Sequence, residues 1–457
     1  MLRKVLILCS VFTLMACGSD DGPGYQEPYD PNAGSDPVTV DPLTDEEIMD
    51  LTQQTTFKYF WDFANTNSGA AKERYHPNEP TLNENVVTTG GSGFGLMAIL
   101  VGVERGYISR AQATSRLTTI LNFFDNADRF HGAWPHWLDG NSGNVIPFSD
   151  LDNGGDLVET ALLAQGLICV KEYFKNGSED EQAIANLADQ LWKGVEWDWY
   201  TNNENKLLWH WSPDNAFAIN LELKGYNETL ITFILGAASP DYSISDEVYQ
   251  QGWADNGNIV SANSQYGFPL LLNHAGGSTY GGPLFWAHYS YLGLDPRTLS
   301  DTYANYWDVN VNHTTINYQY CVSNPGNYVD YGPNCWGLTA SYSRNDDGSI
   351  GYLAHEPSND IGVISPTAAI SSIPYTPEKS LAAMHYFYSK NEVLLGPAGF
   401  YDAFSPQYND WVAEAYLAID QGPQIIMIEN YRTGLLWNLF MANEDVQNGL
   451  DNLNFNY

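Results

Sequence analysis

The chain has 457 residues, with 55 acidic against 19 basic side chains, a formal net charge of −36, and 14 % aromatic residues including 14 Trp and 30 Tyr. A field of that sign repels nucleic acid, anionic lipid and polyanionic glycans, so a neutral ligand suits it. Aromatic residues on this scale fill a large core and are also suited to stacking on sugar faces.

Arg3 and Lys4 open a leader, residues 1–16, whose apolar run is too short to span a bilayer and has the form of a secretory signal. It ends in Leu14-Met15-Ala16-Cys17, which resembles the lipobox of bacterial lipoproteins; the resemblance implies that Cys17 is acylated and becomes the mature N-terminus. Gly18-Ser19-Asp20-Asp21 resembles a tag that directs lipoproteins to the outer membrane, which implies anchoring on its periplasmic or cell-surface face. Residues 17–43 are dominated by Gly, Pro, Ser, Asp and Asn and cannot bury enough surface to offset their ordering entropy, so a flexible tether is expected. Residues 44–457 remain as one folded domain, expected to act as a monomer.

Helical signals then recur to the end of the chain. Thr44 and Glu47 have the spacing of a capping box and open a helix through Phe57, Tyr59, Phe60, Trp61 and Phe63. Residues 93–105 carry apolar side chains at helical spacing and stop at Gly106, and Ser109 caps a helix over 110–126. Further helices are expected over 156–174, 179–199, 228–238, 296–309, 377–390, 410–419 and 423–441. Pro296, Pro377 and Pro423 stand where first turns begin. Strand-like alternation is scarce and no βαβ rhythm or short repeat is visible, so the fold class is all-α. Two concentric rings of six helices accommodate this pattern, with long loops rich in Gly, Asn, Asp and Trp forming a cleft on one rim. Of five cysteines, Cys9 and Cys17 belong to the leader and Cys169 sits in an apolar helix. Cys321 and Cys335 flank a Pro/Gly/Asn loop and are candidates for a disulfide in an exported chain.

The densest chemical signal is Asp150, Asp152, Asp156 and Glu159. Asp156 and Glu159 share one side of a first helical turn, and Asp152 lies across Gly154 and Gly155. Crowded carboxylates drive one another's pKa values apart, as acid/base hydrolysis requires. Acids at a helix start also simply cap N–H groups, and spacing leaves both readings open. Glu228 enters a helix after a loop containing Trp209, His210 and Trp211, surroundings that would keep a carboxyl protonated near neutrality. Trp134, His136 and Trp137 could form a sugar-stacking wall with polar tips, and Trp286, His288 and Tyr289 form a similar patch. Asp402 and Asp420 sit at loop–helix junctions, and Asp420 could serve as an N-cap. The Asp150 register fails as a calcium loop, since Ala161 stands where its terminal Glu belongs. His131 and His136 have no partner at zinc-ligand spacing. No metal and no other cofactor is expected.

Several segments in order resemble glycoside hydrolase family 144, glucoamylase-like enzymes that cut β-1,2-linked glucan. The likeness is carried by Thr88-Thr-Gly-Gly-Ser-Gly-Phe94-Gly95, Gly132-Ala-Trp134-Pro-His136-Trp137, Asp152-Asn-Gly-Gly-Asp156-Leu-Val-Glu159-Thr160 and Pro283-Leu-Phe-Trp286-Ala-His288-Tyr289. Cys335-Trp-Gly-Leu338 and Ile419-Asp-Gln-Gly-Pro423 with Met427 to Arg432 complete it. It implies an (α/α)6 barrel and an anomer-inverting hydrolase without a metal, acting on a neutral glucan and releasing sophorose or short oligosaccharides. In that reading Glu228 donates the proton, and Asp152, Asp156 or Glu159 supplies the base, with Asp402 and Asp420 in reserve. Trp134, Trp137, Trp286 and Tyr289 would stack glucose rings while His136 and His288 bond hydroxyls. The rivals are an exo-acting α-glucan hydrolase on the same barrel and a non-catalytic glycan-binding lipoprotein.

Overall fold

Capping chemistry sets where the helices begin. In the computed structural model, which describes residues 43–274, 277–409 and 411–457, Thr44 and Glu47 close a reciprocal box at the start of α1 (Asp45–Trp61). α2 (Thr89–Glu104) follows, ending two residues before Gly106, which takes φ +71°. Ser109 and Gln112 form the second box, opening α3 (Arg110–Asn126). Asp156 caps α4 (Leu157–Phe174), and Ser178 caps α5 (Glu179–Lys193). The chain continues through α6 (Leu230–Ala238), α7 (Tyr306–Ser323), α8 (Pro366–Ser371), α9 (Pro377–Ser389), α10 (Ala418–Arg432), α11 (Leu435–Met441) and α12 (Glu444–Asn452). The leader, Cys17 and nearly all of the tether lie outside the described residues.

Burial separates the helices into two sets. α2, α4, α6, α8 and most of α10 are buried on every side, the mark of helices enclosed by others. α3 and α5 bury one stripe each, such as Leu117, Ile120, Leu121 and Phe124 on α3. Packing joins α10 to α2, α2 to α4, α4 to α6 and α10 to α8. Between α6 and α8 the inner place is taken by two short 3₁₀ turns, Leu284–Ala287 and Tyr289–Tyr291. They are tied forward by His288 Nε2 to Ser372 Oγ (3.0 Å) and by Tyr375 Oη donating to the Ala287 carbonyl (2.9 Å). Outside these six positions lie α1, α3, α5, α12, α7 and α9, each packed on an inner neighbour. The result is two rings of six, one inside the other.

Short antiparallel pairs decorate one rim. β1 (Val86–Thr88) pairs with β2 (Trp137–Asp139), and β3 (Gly155–Asp156) with β4 (His210–Trp211), placing Asp156 opposite His210. A hairpin joins β5 (Ala340–Arg344) to β6 (Ile350–Ala354), and β7 (Ala403–Ser405) pairs with β8 (Trp411–Ala413).

Five expectations change. The helix expected over 179–199 ends at Lys193, where Gly194 caps it, and Trp197–Thr201 form a separate 3₁₀ turn. The 410–419 stretch is extended, because Ala413, Ala415 and Leu417 alternate into a small cluster with Tyr342, Val363 and Ala403, a period of two rather than 3.6. The 296–309 helix lies later, over Tyr306–Ser323, since Asn305 Oδ1 accepts from Asp308 N and fixes the start there. The 423–441 helix begins at Ala418 with Pro423 inside it and breaks at Gly434, whose φ of +72° suits no helix. Cys321 and Cys335 are buried free thiols, as is Cys169. No helix among the described residues is long and apolar enough to cross a membrane.

Candidate active site

Two glycines bring the first wall together. A Cβ on Gly93 would stand 2.3 Å from the Leu162 carbonyl oxygen, and one on Gly166 would stand 2.3 Å from that of Gly93. Only bare backbone lets α2 and α4 cross so closely. That approach carries the Gly90 amide to 2.7 Å from Glu159 Oε2, which also accepts from Thr88 Oγ1 at 3.2 Å. Asp156 is fully buried; its Oδ1 accepts from the amides of Val158 (3.0 Å) and Glu159 (2.9 Å), and its Oδ2 lies 2.9 Å from His136 Nδ1. His136 Nε2 in turn stands 4.0 Å from Glu159 Oε1. The β3–β4 ladder adds His210, whose Nε2 is 3.4 Å from Asp152 Oδ2 and 3.6 Å from Asp156 Oδ2.

Charge and burial sort these groups. Burial alone would lower the His136 imidazolium, but Glu159, Asp156 and Asp152 outweigh it and raise it to about 9, so the ring is a cation at neutral pH. Asp156 is held below the usual carboxylate range because the two histidines outweigh its burial. Asp152 and Glu159 are raised, first by burial and then by Asp156. Glu228 sits two residues ahead of α6. Its carbonyl accepts from Ser290 Oγ at 2.5 Å, and that same hydroxyl receives the Ile231 amide at 3.1 Å. Burial, with Glu159 and Asp156 adding repulsion, pushes its carboxyl up to about 7. Glu228 therefore shares a charged neighbourhood with the α4 acids although some 70 residues separate them.

A second pair of acids comes from the far end of the chain. Asp402 and Asp420 are buried neighbours, the Asp402 charge acting on Asp420, and Asp402 Oδ1 and Asp420 Oδ2 have no hydrogen-bond partner. Asp402 Oδ2 also accepts from the Tyr342 amide at 2.7 Å. Burial raises Asp402 to about 6, and burial with the Asp402 charge drives Asp420 well above the usual range. The pair thus holds one proton and one negative charge at neutral pH. Tyr289 lies between the two groups of acids, since its hydroxyl feels Asp420, Glu228 and Glu159.

Several predicted roles are corrected. Trp134 is fully buried, with Nε1 donating to the Phe124 carbonyl at 2.9 Å and Arg129 over its ring, so it packs the core and stacks on no sugar. His288 is 2 % exposed and bonded to Ser372; burial drops it to about 3, and it too is a core group. Trp286 lies against His274 at 4.1 Å and over Gly282, and with Tyr289 it is under 9 % exposed, leaving an edge or a hydroxyl rather than a ring face. Trp137 remains half-buried and packs on Phe148, whose ring is 52 % exposed. Asp420 is no N-cap; it lies in the first turn of α10. His210 was missed as a site residue, its only signal being its place between two tryptophans before Glu228. His136, Asp152 and Asp156 present atoms within 4.8 Å of one another that could ligate an ion, a grouping invisible to linear spacing.

A double helical ring whose open rim gathers carboxylates from α4, the α6 entrance and α10 defines an (α/α)6 protein of the glycoside hydrolase type. The family model Glycoamylase, of glucoamylase type, matches residues 220–444. An endo-β-1,2-glucanase from Chitinophaga pinensis, solved with sophorotriose and glucose, is 55 % identical; the match covers 91 % of this chain and 99 % of that one, with TM-score 0.88. The exo β-1,2-glucooligosaccharide sophorohydrolase (non-reducing end) of Parabacteroides distasonis is 43 % identical over 452 residues, 93 % of this chain, and the chain spans 61 % of that relative's length. A Talaromyces funiculosus endo-β-1,2-glucanase shares the fold at TM-score 0.62 and 14 % identity. The chain belongs to the glucoamylase-like β-1,2-glucanase family, of the glycoside hydrolase family 144 type.

Proposed function

We propose that the chain hydrolyses β-1,2-glucan with inversion at the anomeric carbon, releasing sophorose or short oligosaccharides. The observation that carries this reading is the Glu228 carboxyl, placed by the Ser290 contact within reach of the Glu159 and Asp156 charges and pushed up to about 7 by burial and by them. Protonated, it donates to the leaving glycosidic oxygen. Asp156 makes a poor base, because two amides and His136 already engage its oxygens. The Asp402–Asp420 pair suits that role: it carries a single negative charge and stands on different elements from Glu228, and inversion requires a water between acid and base. His136, Asp152, Glu159 and His210 then bind and orient sugar hydroxyls, with Trp137 and Phe148 as the apolar wall. The Chitinophaga and Parabacteroides relatives both act on β-1,2-linked glucans, which favours that linkage over α-glucan.

The test is a product assay on β-1,2-glucan and on starch. Sophorose or its oligomers from the first and nothing from the second are expected. Glucose from starch alone makes the chain an α-glucan hydrolase, and binding of glucan without any product makes it a capture protein. Cys17 is proposed as the lipid anchor, holding a monomer to the outer membrane, which metabolic labelling with a fatty-acid analogue checks against Cys17→Ser.

A further inference from the structure

We infer that His136, Asp152 and Asp156, joined by the neighbouring His210 when an ion binds, form a site for a divalent transition-metal ion of the zinc class, and that its occupation inhibits the hydrolysis proposed above; only the inhibition rests on that proposal. The donors come from three separate stretches: the β2 entrance, the β3–α4 turn and β4. His136 Nδ1 is 2.9 Å from Asp156 Oδ2, while His210 Nε2 is 3.6 Å from the same oxygen and 3.4 Å from Asp152 Oδ2. A tetrahedral ion with bonds of about 2.0–2.2 Å has ligand-to-ligand edges of roughly 3.3–3.6 Å. The two His210 edges match that range and the His136–Asp156 edge is a few tenths of an ångström short of it; the donors of His136, Asp152 and Asp156 stand within 4.8 Å of one another, so the remaining edges draw in as the ion binds.

The chemistry of the donor set selects the ion. Two imidazole nitrogens and two carboxylate oxygens suit zinc, cobalt or nickel, whereas calcium and magnesium require six or more oxygens. The two carboxylates balance the charge of the ion. Asp156 is preset for the task, since its Oδ1 is locked on the Val158 and Glu159 amides and only Oδ2 turns toward the histidines. Asp152 and Asp156 are 6 % and 0 % exposed, so neither belongs to a solvated acidic face. The chain's charge of −36 concentrates cations around it. The ion takes the place of the proton between His136 and Asp156, which leaves to solvent. It also pins the side chains that would otherwise meet sugar hydroxyls opposite Glu228.

Cobalt(II) is the direct probe. The chelator-treated full chain, titrated with CoCl₂, is expected to develop the intense visible absorption of four-coordinate cobalt, saturating at one ion per chain and abolished by ZnCl₂. Only the pale spectrum of hydrated six-coordinate cobalt would overturn the site. His210→Gln and Asp152→Asn are each expected to weaken the titration by at least about tenfold, since even groups behind a metal ligand are worth about 10- to 100-fold. Should either variant misfold, the wild-type spectrum decides. ZnCl₂ is expected to suppress glucan hydrolysis, chelator to restore it, and MgCl₂ to leave it unchanged. A cobalt spectrum without inhibition refutes the regulatory half. A cobalt spectrum from a chain that cuts no glucan sinks the hydrolase reading and leaves the ion site standing.

Discussion

Glu228→Gln should make the protein weaker as an enzyme and stronger as a fold. The carboxyl is raised from 4.5 to about 7 by burial and by Glu159 and Asp156. A carboxyl whose folded pKa exceeds its unfolded one binds its proton more tightly in the native state. The native state therefore loses stability as pH climbs from 4.5 to 7, and carries the full cost above 7. One pK unit is worth about 1.4 kcal/mol, which sets a ceiling of roughly 3 kcal/mol. Partial exposure of the side chain reduces this to about 1–2 kcal/mol. Gln keeps the shape and carries no charge, so the variant should equal wild type at pH 4 and exceed it by that amount at pH 8. Urea midpoints at the two pH values measure this with unchanged slope, and turnover on β-1,2-glucan should fall by about 10²-fold or more. Equal midpoints at both pH values, or a weaker variant at pH 8, would refute the claim that burial keeps this carboxyl protonated.

Activity against pH should be bell-shaped: it falls below about 6, where the Asp402–Asp420 pair gains its second proton, and above about 7, where Glu228 loses its own. Kinetics of kcat/KM across pH 4–9 check both limbs. His136→Asn removes the cation among Asp156, Glu159 and Asp152 and should cost about 3–5 kcal/mol, read as a lowered thermal midpoint. Gly93→Ala places a methyl 2.3 Å from the Leu162 carbonyl oxygen, should cost about 1–3 kcal/mol, and should lower activity as Gly90 draws away from Glu159. Trp134→Ala should lower stability by about 3–5 kcal/mol, whereas Trp137→Ala should chiefly raise KM, by up to about tenfold.

Local rules carried the outer architecture well. The box at Thr44, the cap at Ser109 and the stop at Gly106 are short-range chemistry, and each stands where the residues put it, while Asp156 caps the helix it was expected to begin. The misplaced elements fail for equally local reasons. Ala413, Ala415 and Leu417 look helical in composition, yet they answer to partners on β7 and at Val363 that no window of sequence contains. The acidic cluster around Asp156 and the lone Glu228 were visible as types, and the family likeness joined them. Roles inside the cluster depend on which oxygens are already engaged. Asp156 is spent on two amides and a histidine, and that follows from the Gly93–Gly166 crossing and the β3–β4 register. Trp134 and His288 show the converse: aromatic and polar residues in a recurrent motif were read as contacts, whereas full burial makes them framework.

The sixth place of the inner ring is a pair of 3₁₀ turns instead of a helix, and Glu228 hangs from it through Ser290. Five sectors of the wall are braced by their own repeating backbone ladder; this one leans on its neighbours through Ser372 and Tyr375. Hydrogen exchange should therefore open residues 284–291 ahead of the flanking helices. Warming should then silence turnover several degrees before the rings come apart, because Glu228 drifts out of register while the rest of the scaffold stands.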